Sequence, residues 1–394
     1  MPEIMNHNYP RKVRALEIIN LFSSAKIFIG GQFRYFKEHG VDMHLICSPD
    51  AELDDFAKEQ QLKSYEAIEL NRQLSPMKDL AALYRICKFI KRNKVNVLIG
   101  HQPKGTLLTV LAGRIMGVPK IILFAHGTFY ETETGLRKAI FINLERFLSF
   151  FSHKVVCVSP FVMQIREELK IDLPGKRVIL GSGTCGGIDT ESKYHPDLIM
   201  KEQFQNIQTG YGFLPSDFVI GFSGRLVRDK GIMELVDAYR ILVDKHPEKS
   251  IKLLLVGDYE ERDAIPESYV NIIDGDPSII KTGFIREGME YYYPLMSVLV
   301  LPSYRDGFGL SLIEASAMQV PVLASDITGC RDAIKENVSG HYIKIEPSDI
   351  ASKIEMYFDA GLAVTIGKSG RQWVREHFDH EVVWPHMREV LQSK

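Results

Sequence analysis

Long apolar runs are missing from this sequence: none of its 394 residues falls in a stretch near the roughly 18 apolar residues that a spanning helix requires. Paired cysteines are missing too. Cys47, Cys87, Cys157, Cys185 and Cys330 are odd in number, scattered, and never spaced C-x-x-C. This excludes a disulfide frame and a zinc knuckle and suits reduced thiols in a cytosol, several of them acting as small core hydrophobes. No H-x-x-x-H pair or Cys/His set suggests a metal centre, so no metal or cofactor is expected. Residues 1–14 are polar and carry no signal-peptide core, which points to a cytoplasmic protein. Low-complexity segments are absent as well, and the composition is that of an ordinary globular chain, 45% hydrophobic and 25% charged.

What is present first is length, enough for two domains. A net charge of −2 conceals an asymmetry. Residues 1–188 hold 26 Lys+Arg against 18 Asp+Glu, a balance of +8, and the remainder hold 22 against 32, a balance of −10. Separation of this kind suits a first half that faces something anionic; drift between two domains is the alternative.

Short β-branched runs alternate with helical stretches throughout. In the first half the strands are expected at 13–20, 41–48, 96–101, 120–127, 154–159 and 177–180. Several are apolar on both faces, as in Ile121-Ile122-Leu123-Phe124, which marks strands covered on both sides. A helix is expected over 76–93, with Leu80, Leu83, Ile86, Cys87 and Ile90 on its apolar face. The pattern restarts at 217–226, 251–257, 279–284, 297–303, 320–325 and 340–345. Residues 181–211, rich in glycine and polar groups, read as a linker. Residues 367–394 read as two helices interrupted at Pro385. Strand–helix alternation predicts an α/β protein of two Rossmann-like, doubly wound parallel-sheet domains facing a cleft. The expected division is 1–187, 188–375 and a final helical segment, 376–394, crossing back to the first domain.

Two motifs carry chemistry. Gly224-Arg225-Leu226-Val227-Arg228-Asp229-Lys230-Gly231 ends a strand and opens a helix. Gly224 would let a phosphate approach the backbone, Arg225 could fork two diphosphate oxygens, and Lys230 would add a point charge. The second runs from Pro302 to Ala315. It places Asp306 in a loop and Glu314 eight residues on, with the amides of Phe308, Gly309 and Leu310 at a helix start. Carboxylates there suit sugar or ribose hydroxyls, and the amides suit a phosphate.

Together these motifs resemble the C-terminal half of family-4 retaining glycosyltransferases of GT-B fold, through an Arg-x4-Lys pair at Arg225/Lys230 and an acid-x7-acid pair at Asp306/Glu314. The likeness extends through residues 319–332, Phe124-Ala125-His126-Gly127, Asn143-Leu144-Glu145-Arg146 and Gly181-Ser182-Gly183-Thr184. The run through 319–332 closely resembles capsule and O-antigen members that extend undecaprenyl-diphosphate-linked glycans. The resemblance implies that Arg225 and Lys230 neutralise the donor diphosphate, Glu314 holds the ribose, and Asp306 touches the donor sugar. His126 would reach that sugar from the first domain, which would bind the acceptor, and Gly30-Gly31 would form a glycine loop that lets the backbone approach a ligand. It also implies a hexose or N-acetylhexosamine donor (UDP-linked by default, GDP as the alternative), retention, and no nucleophile. Asp306 stands where the family has Glu, one methylene longer, and the bulky Phe28-Ile29 precedes the glycine loop. Peripheral attachment to the inner face of the cytoplasmic membrane is expected through basic amphipathic segments at 77–94 and 136–154. Nucleic acid is not an expected partner.

Three patterns are set aside. Gly181-x-Gly183-x-x-Gly186 opens no helix, Asp274-Gly275-Asp276 reads as a turn, and Tyr291-Tyr292-Tyr293 reads as packing. Rival readings are a UDP-sugar 2-epimerase and a non-catalytic nucleotide-sugar-binding protein.

Overall fold

The computed structural model describes residues 12–70, 75–127 and 134–393. Contacts divide the chain into two compact units. One comprises residues up to 157, 163–180 and those from 384 onward; the other comprises 158–162 and 181–383.

In the first unit the strands are β1 (Arg14–Ile18), β2 (Asp42–Cys47), β3 (Ser64–Ala67), β4 (Val97–Gly100), β5 (Lys120–Ala125), β6 (Lys154–Cys157) and β7 (Arg177–Ile179). They form one parallel sheet in the order β3-β2-β1-β4-β5-β6-β7. Six lie within the runs read from the sequence; β3 does not, because its Ser64-Tyr65-Glu66-Ala67 is polar on an edge and carries no apolar signal. The helices are α1 (Phe22–Phe28), α2 (Gln32–Glu38), α3 (Leu53–Glu59), α4 (Pro76–Asn93), α5 (Pro103–Ile115), α6 (Gly135–Phe151) and α7 (Pro160–Glu168), the last beginning in the other unit. Proline at its first position and Lys94 in the left-handed region bound α4. Its buried stripe is Ala82, Ile86, Phe89 and Ile90, packed on Leu16, Ile18 and Leu98 of the sheet. Leu80, expected on that stripe, is instead 68% exposed. It sits too far round the helix from Ile86 and Phe89, on an outer arc with Met77 and Tyr84. α4 packs on α5 and α5 on α6, so the three form one layer.

Within the second unit lie β8 (Phe218–Ser223), β9 (Ile251–Val256), β10 (Ile279–Gly283), β11 (Val298–Leu301), β12 (Val322–Ser325) and β13 (Gly340–Ile343). They too are all parallel, ordered β10-β9-β8-β11-β12-β13. Its helices are α8 (Lys201–Gly210), α9 (Ile232–Lys245), α10 (Glu267–Gly275), α11 (Leu310–Ala317), α12 (Pro347–Glu355), α13 (Ala360–Phe378) and α14 (His380–Gln392), which ends in the first unit. The region read as a linker therefore holds α8, a polar helix that buries no side chain and so lacks the apolar periodicity that would reveal it. The break before the last helix falls at Asp379, not at Pro385. Asp379 accepts the Glu381 amide with one carboxylate oxygen and the Thr190 amide and hydroxyl with the other, acting as a cap. Pro385 removes only one hydrogen bond from a helix already under way.

In each sheet the order reverses once, between β1 and β4 and between β8 and β11. Helices leave opposite faces at such a point, and the strand C-termini there border an open crevice.

Candidate active site

Strands β8 and β11 flank the reversal in the second unit, and the two sequence motifs are the loops that leave them. After β8 come Gly224 and Arg225, a short 3-10 turn over Arg228–Lys230, and Gly231 as the cap of α9. Gly231 has φ +67, and a Cβ there would lie 2.0 Å from the Pro302 carbonyl oxygen. Only glycine allows both that conformation and the approach of the second loop. Tyr304 donates its amide to the Asp229 carbonyl and the Arg305 guanidinium reaches the Asp229 carboxylate at 2.8 Å, so the loops are tied together.

Lys230 and Asp306 meet across this junction, Nζ to Oδ2 at 2.6 Å, with Nζ also 3.4 Å from the Arg305 carbonyl. Burial pushes the Asp306 carboxyl up, but Lys230 and the Gly307 and Gly309 amides outweigh it and hold the group below its ordinary value. The Gly309 amide, expected to be available to a phosphate, is thus aimed at Asp306. Phe308 is buried, its ring 5.4 Å from that of Phe378, while Gly309 caps α11 and Leu310 is its first residue. Arg225 is exposed and pairs with Glu260 at 3.0 Å rather than with the Lys230–Asp306 pair.

Glu314 is half-buried in α11 and takes two hydroxyl hydrogen bonds, from Tyr194 to Oε1 at 2.8 Å and from Tyr293 to Oε2 at 2.6 Å. Burial raises its carboxyl, and the two tyrosines offset part of the rise. Tyr293 also bonds Ser223, the residue before Gly224, so Glu314 is linked through one buried phenol to the start of the first loop. Sequence reasoning assigned the Tyr291-Tyr292-Tyr293 run to packing. That is right for its burial and misses the hydroxyl; an intact acid on a covered helix is the signal that a donor must exist. Asp274 and Gly275 end helix α10 and Asp276 caps it, so the stretch read as a turn is a helix terminus, with Asp274 bonded to Tyr259 and paired with Lys281.

In the first unit His126 follows β5 and is half-buried, its ring 5.1 Å from that of Phe28, which precedes Gly30 and Gly31. Gly30 has φ +45, and Gly31 caps α2 against Trp384. The glycine loop and His126 are therefore neighbours, joined by the phenylalanine that departs from the family pattern. His126 Nε2 lies 2.9 Å from Nδ1 of His101, and His101 Nε2 lies 2.5 Å from Glu17 Oε2. Burial first, then His101, lowers the His126 imidazole to about 3. Sequence reasoning missed both inner partners. His101 follows β4 as His126 follows β5, and Glu17 is the one acid in an apolar strand; those were the available signals.

A pH prediction follows from the Lys230–Asp306 pair. Because the folded Asp306 carboxyl lies below its ordinary 3.8, the stability it contributes is full above that value and is lost as pH falls through the folded value. Lys230→Met should raise the carboxyl and flatten the acid limb of a urea-denaturation series below about pH 4. Parallel wild-type and variant curves there would contradict the assignment.

Residues 17–159 match the family described as "Glycosyl transferase 4-like", and residues 217–359 match "Glycosyl transferases group 1". The chain is 27% identical over 365 residues to the capsular polysaccharide biosynthesis glycosyltransferase CapM of Staphylococcus aureus, covering 92% of this chain and 93% of that one. It is 24% identical over 340 residues to an Escherichia coli UDP-Gal:alpha-D-GlcNAc-diphosphoundecaprenol alpha-1,3-galactosyltransferase, covering 86% and 85%. Among solved structures, Anabaena HepE in complex with UDP-glucose superposes with TM-score 0.78 at 16% identity, covering 97% of this chain and all of that one (100%). A glycosyltransferase from Rickettsia africae gives 0.77 at 19%, covering 97% and 98%. With two parallel-sheet units, two family matches in chain order, and relatives over nearly its whole length, this chain belongs to the family-4 glycosyltransferases of GT-B fold and is a sugar transferase.

Proposed function

We propose that the chain moves a hexose or N-acetylhexosamine from a UDP-sugar, with retention and without a metal, onto a lipid-diphosphate-linked glycan in the synthesis of a capsular or related polysaccharide. The observation that carries this reading is the Lys230–Asp306 pair at the β8/β11 reversal, with Glu314 linked to the same place through Tyr293 and Ser223. Support for the substrate class comes from CapM, whose name places it in capsule synthesis, and from the diphosphoundecaprenol galactosyltransferase.

The barrier lies in the departure of a nucleoside diphosphate from a sugar that becomes oxocarbenium-like. Arg225 and Lys230 stabilise the charge that grows on that diphosphate. An ammonium has three donors; Asp306 and the Arg305 carbonyl engage two, and the third serves a phosphate oxygen. Asp306, fixed and ionised by Lys230, accepts from a sugar hydroxyl, and Glu314, oriented by its two tyrosines, accepts from the ribose diol. His126 and the Gly30–Gly31 loop serve the transferred sugar and its acceptor. Arg225→Ala and Lys230→Ala are each expected to raise the barrier by about 2–4 kcal/mol, the scale of a lost oxyanion donor. The check is turnover of UDP-sugars with a lipid-linked acceptor. Near-normal rates in both variants, or a new UDP-sugar formed without acceptor, would contradict the reading.

The first unit supplies the face for a lipid-linked substrate. On α6, Leu136, Ile140, Leu144, Phe147 and Phe150 are 78%, 56%, 40%, 48% and 60% exposed and fall on one arc, opposite the side of buried Ile142 and Ser149. On α4, in the same layer, exposed Met77, Leu80 and Tyr84 share an arc with Lys88 and Lys91. Apolar stripes flanked by cations, in the half that carries the positive excess, fit an anionic leaflet. The protein is expected to float with vesicles containing anionic phospholipid at low salt, less so at high salt, and not after Leu136→Ser with Phe147→Ser. Failure to float at low salt would remove the membrane face.

A further inference from the structure

This inference rests on the reading of His126 as the group that meets the transferred sugar, and concerns what stands behind it. Glu17, His101 and His126 lie on or just beyond β1, β4 and β5, three neighbouring strands, and the register of Ile18 with Gly100 and of Gly100 with Leu123 brings them into line. Glu17 and His101 are each 1% exposed. The neighbours of Glu17 along β1 are fully buried Ala15, Leu16 and Ile18, among which a leucine would pack without desolvating a carboxyl. Burial pushes the Glu17 carboxyl up and pulls the His101 imidazole down to about 3, so each neutral form is the favoured one.

Each of the two contacts in the chain joins two atoms that share one proton. If Glu17 is ionised, His101 must carry its proton on Nε2 to donate to it. Its bare Nδ1 then accepts from Nε2–H of His126, leaving a lone pair at His126 Nδ1. If Glu17 is protonated, its O–H donates to His101 Nε2, His101 Nδ1–H donates to His126 Nε2, and His126 carries its proton on Nδ1. With both rings neutral, they must therefore share one tautomer, and the carboxyl decides which.

We propose that Glu17 is a carboxylic acid in the working protein and acts through His101 as a positioning residue, holding His126 as the Nδ1–H tautomer so that it donates a hydrogen bond to an oxygen of the transferred sugar. The chain is neutral from end to end, so no buried ion has to be compensated. Free imidazole favours the other tautomer, and the buried acid reverses that preference.

The experiment uses the full chain labelled with ¹⁵N-histidine. Long-range proton–nitrogen spectra at neutral pH are expected to give both His101 and His126 as neutral Nδ1–H rings; Nε2–H tautomers, unlike tautomers, or an imidazolium at either position would overturn the proposal. Glu17→Gln, whose amide N–H can still donate to His101, is expected to keep both tautomers and a kcat within about threefold of wild type. Glu17→Leu is expected to release the tautomer and lower kcat by about tenfold or more, with KM for the donor little changed. An inactive but folded Glu17→Gln would overturn it, because only an ionised carboxylate would then explain the loss. Should Glu17→Leu fail to fold, the wild-type spectra and Glu17→Gln still decide. A chain that transfers sugar with Nε2–H rings sinks this inference alone. Shared Nδ1–H rings in a chain that transfers no sugar would sink the transferase reading and leave the tautomer assignment standing.

Discussion

Parallel strands can be added to a sheet in either direction, and in a doubly wound sheet that direction changes at one place, where the ion pair of Lys230 and Asp306 is found in the second unit. Between β8 and β11 the connecting helices leave toward opposite faces, so the loops beyond the strand ends are not covered by a neighbouring crossover. Ionic groups survive at such a position because water still reaches one side of them. Lys230 and Asp306 lie at this place: their side chains are 12% and 18% exposed, shielded enough for the pair to be strong and still open to solvent on one side. The closeness of Gly231 to Pro302 brings the two loops to the distance at which that pair can form.

The first unit repeats the device with different chemistry. Its reversal lies between β1 and β4, and the groups gathered there are Glu17, His101 and, one strand further, His126. Glu17 and His101 are buried and His126 half-buried, and burial favours the neutral form of each, whereas the groups of the second unit are ionic and partly wet. A stabilising choice would have filled the Glu17 position with an apolar side chain. Arg166 makes a useful contrast, since it is equally buried but fully matched: Asp172 takes two of its hydrogen bonds and Glu145 a third. That network locks α7 to α6 as structure, while the Glu17 chain ends at a half-buried ring beside a glycine loop.

Much of this is legible in the sequence. Uninterrupted β-branched runs such as Ile121–Phe124 belong to strands buried on both faces, and period-2 or continuous apolar signals located all strands but β3. What escaped was carried by polar residues: β3 at an edge, α8 with no buried side chain, and the Asp379 cap that displaced the break from Pro385. The site followed the same rule. Arg225, Lys230, Asp306 and Glu314 were visible because they sit in or just after glycine-containing strand-to-helix turns, at the Arg-x4-Lys and acid-x7-acid spacings that carry the family resemblance. Their partners Glu260, Tyr194 and Tyr293 lie 35, 120 and 21 residues away from the groups they bind, and no local pattern encodes such pairings. His101 was within reach, since it follows β4 as His126 follows β5.

The central claim is that the two loops at the β8/β11 reversal jointly hold a nucleoside diphosphate. Hydrogen–deuterium exchange of the full chain with and without UDP measures this directly, because amides that a bound diphosphate and ribose cover exchange more slowly. Slowed exchange concentrated in residues 224–231 and 306–314 is the predicted result. Binding of UDP with those two segments unchanged would contradict the account.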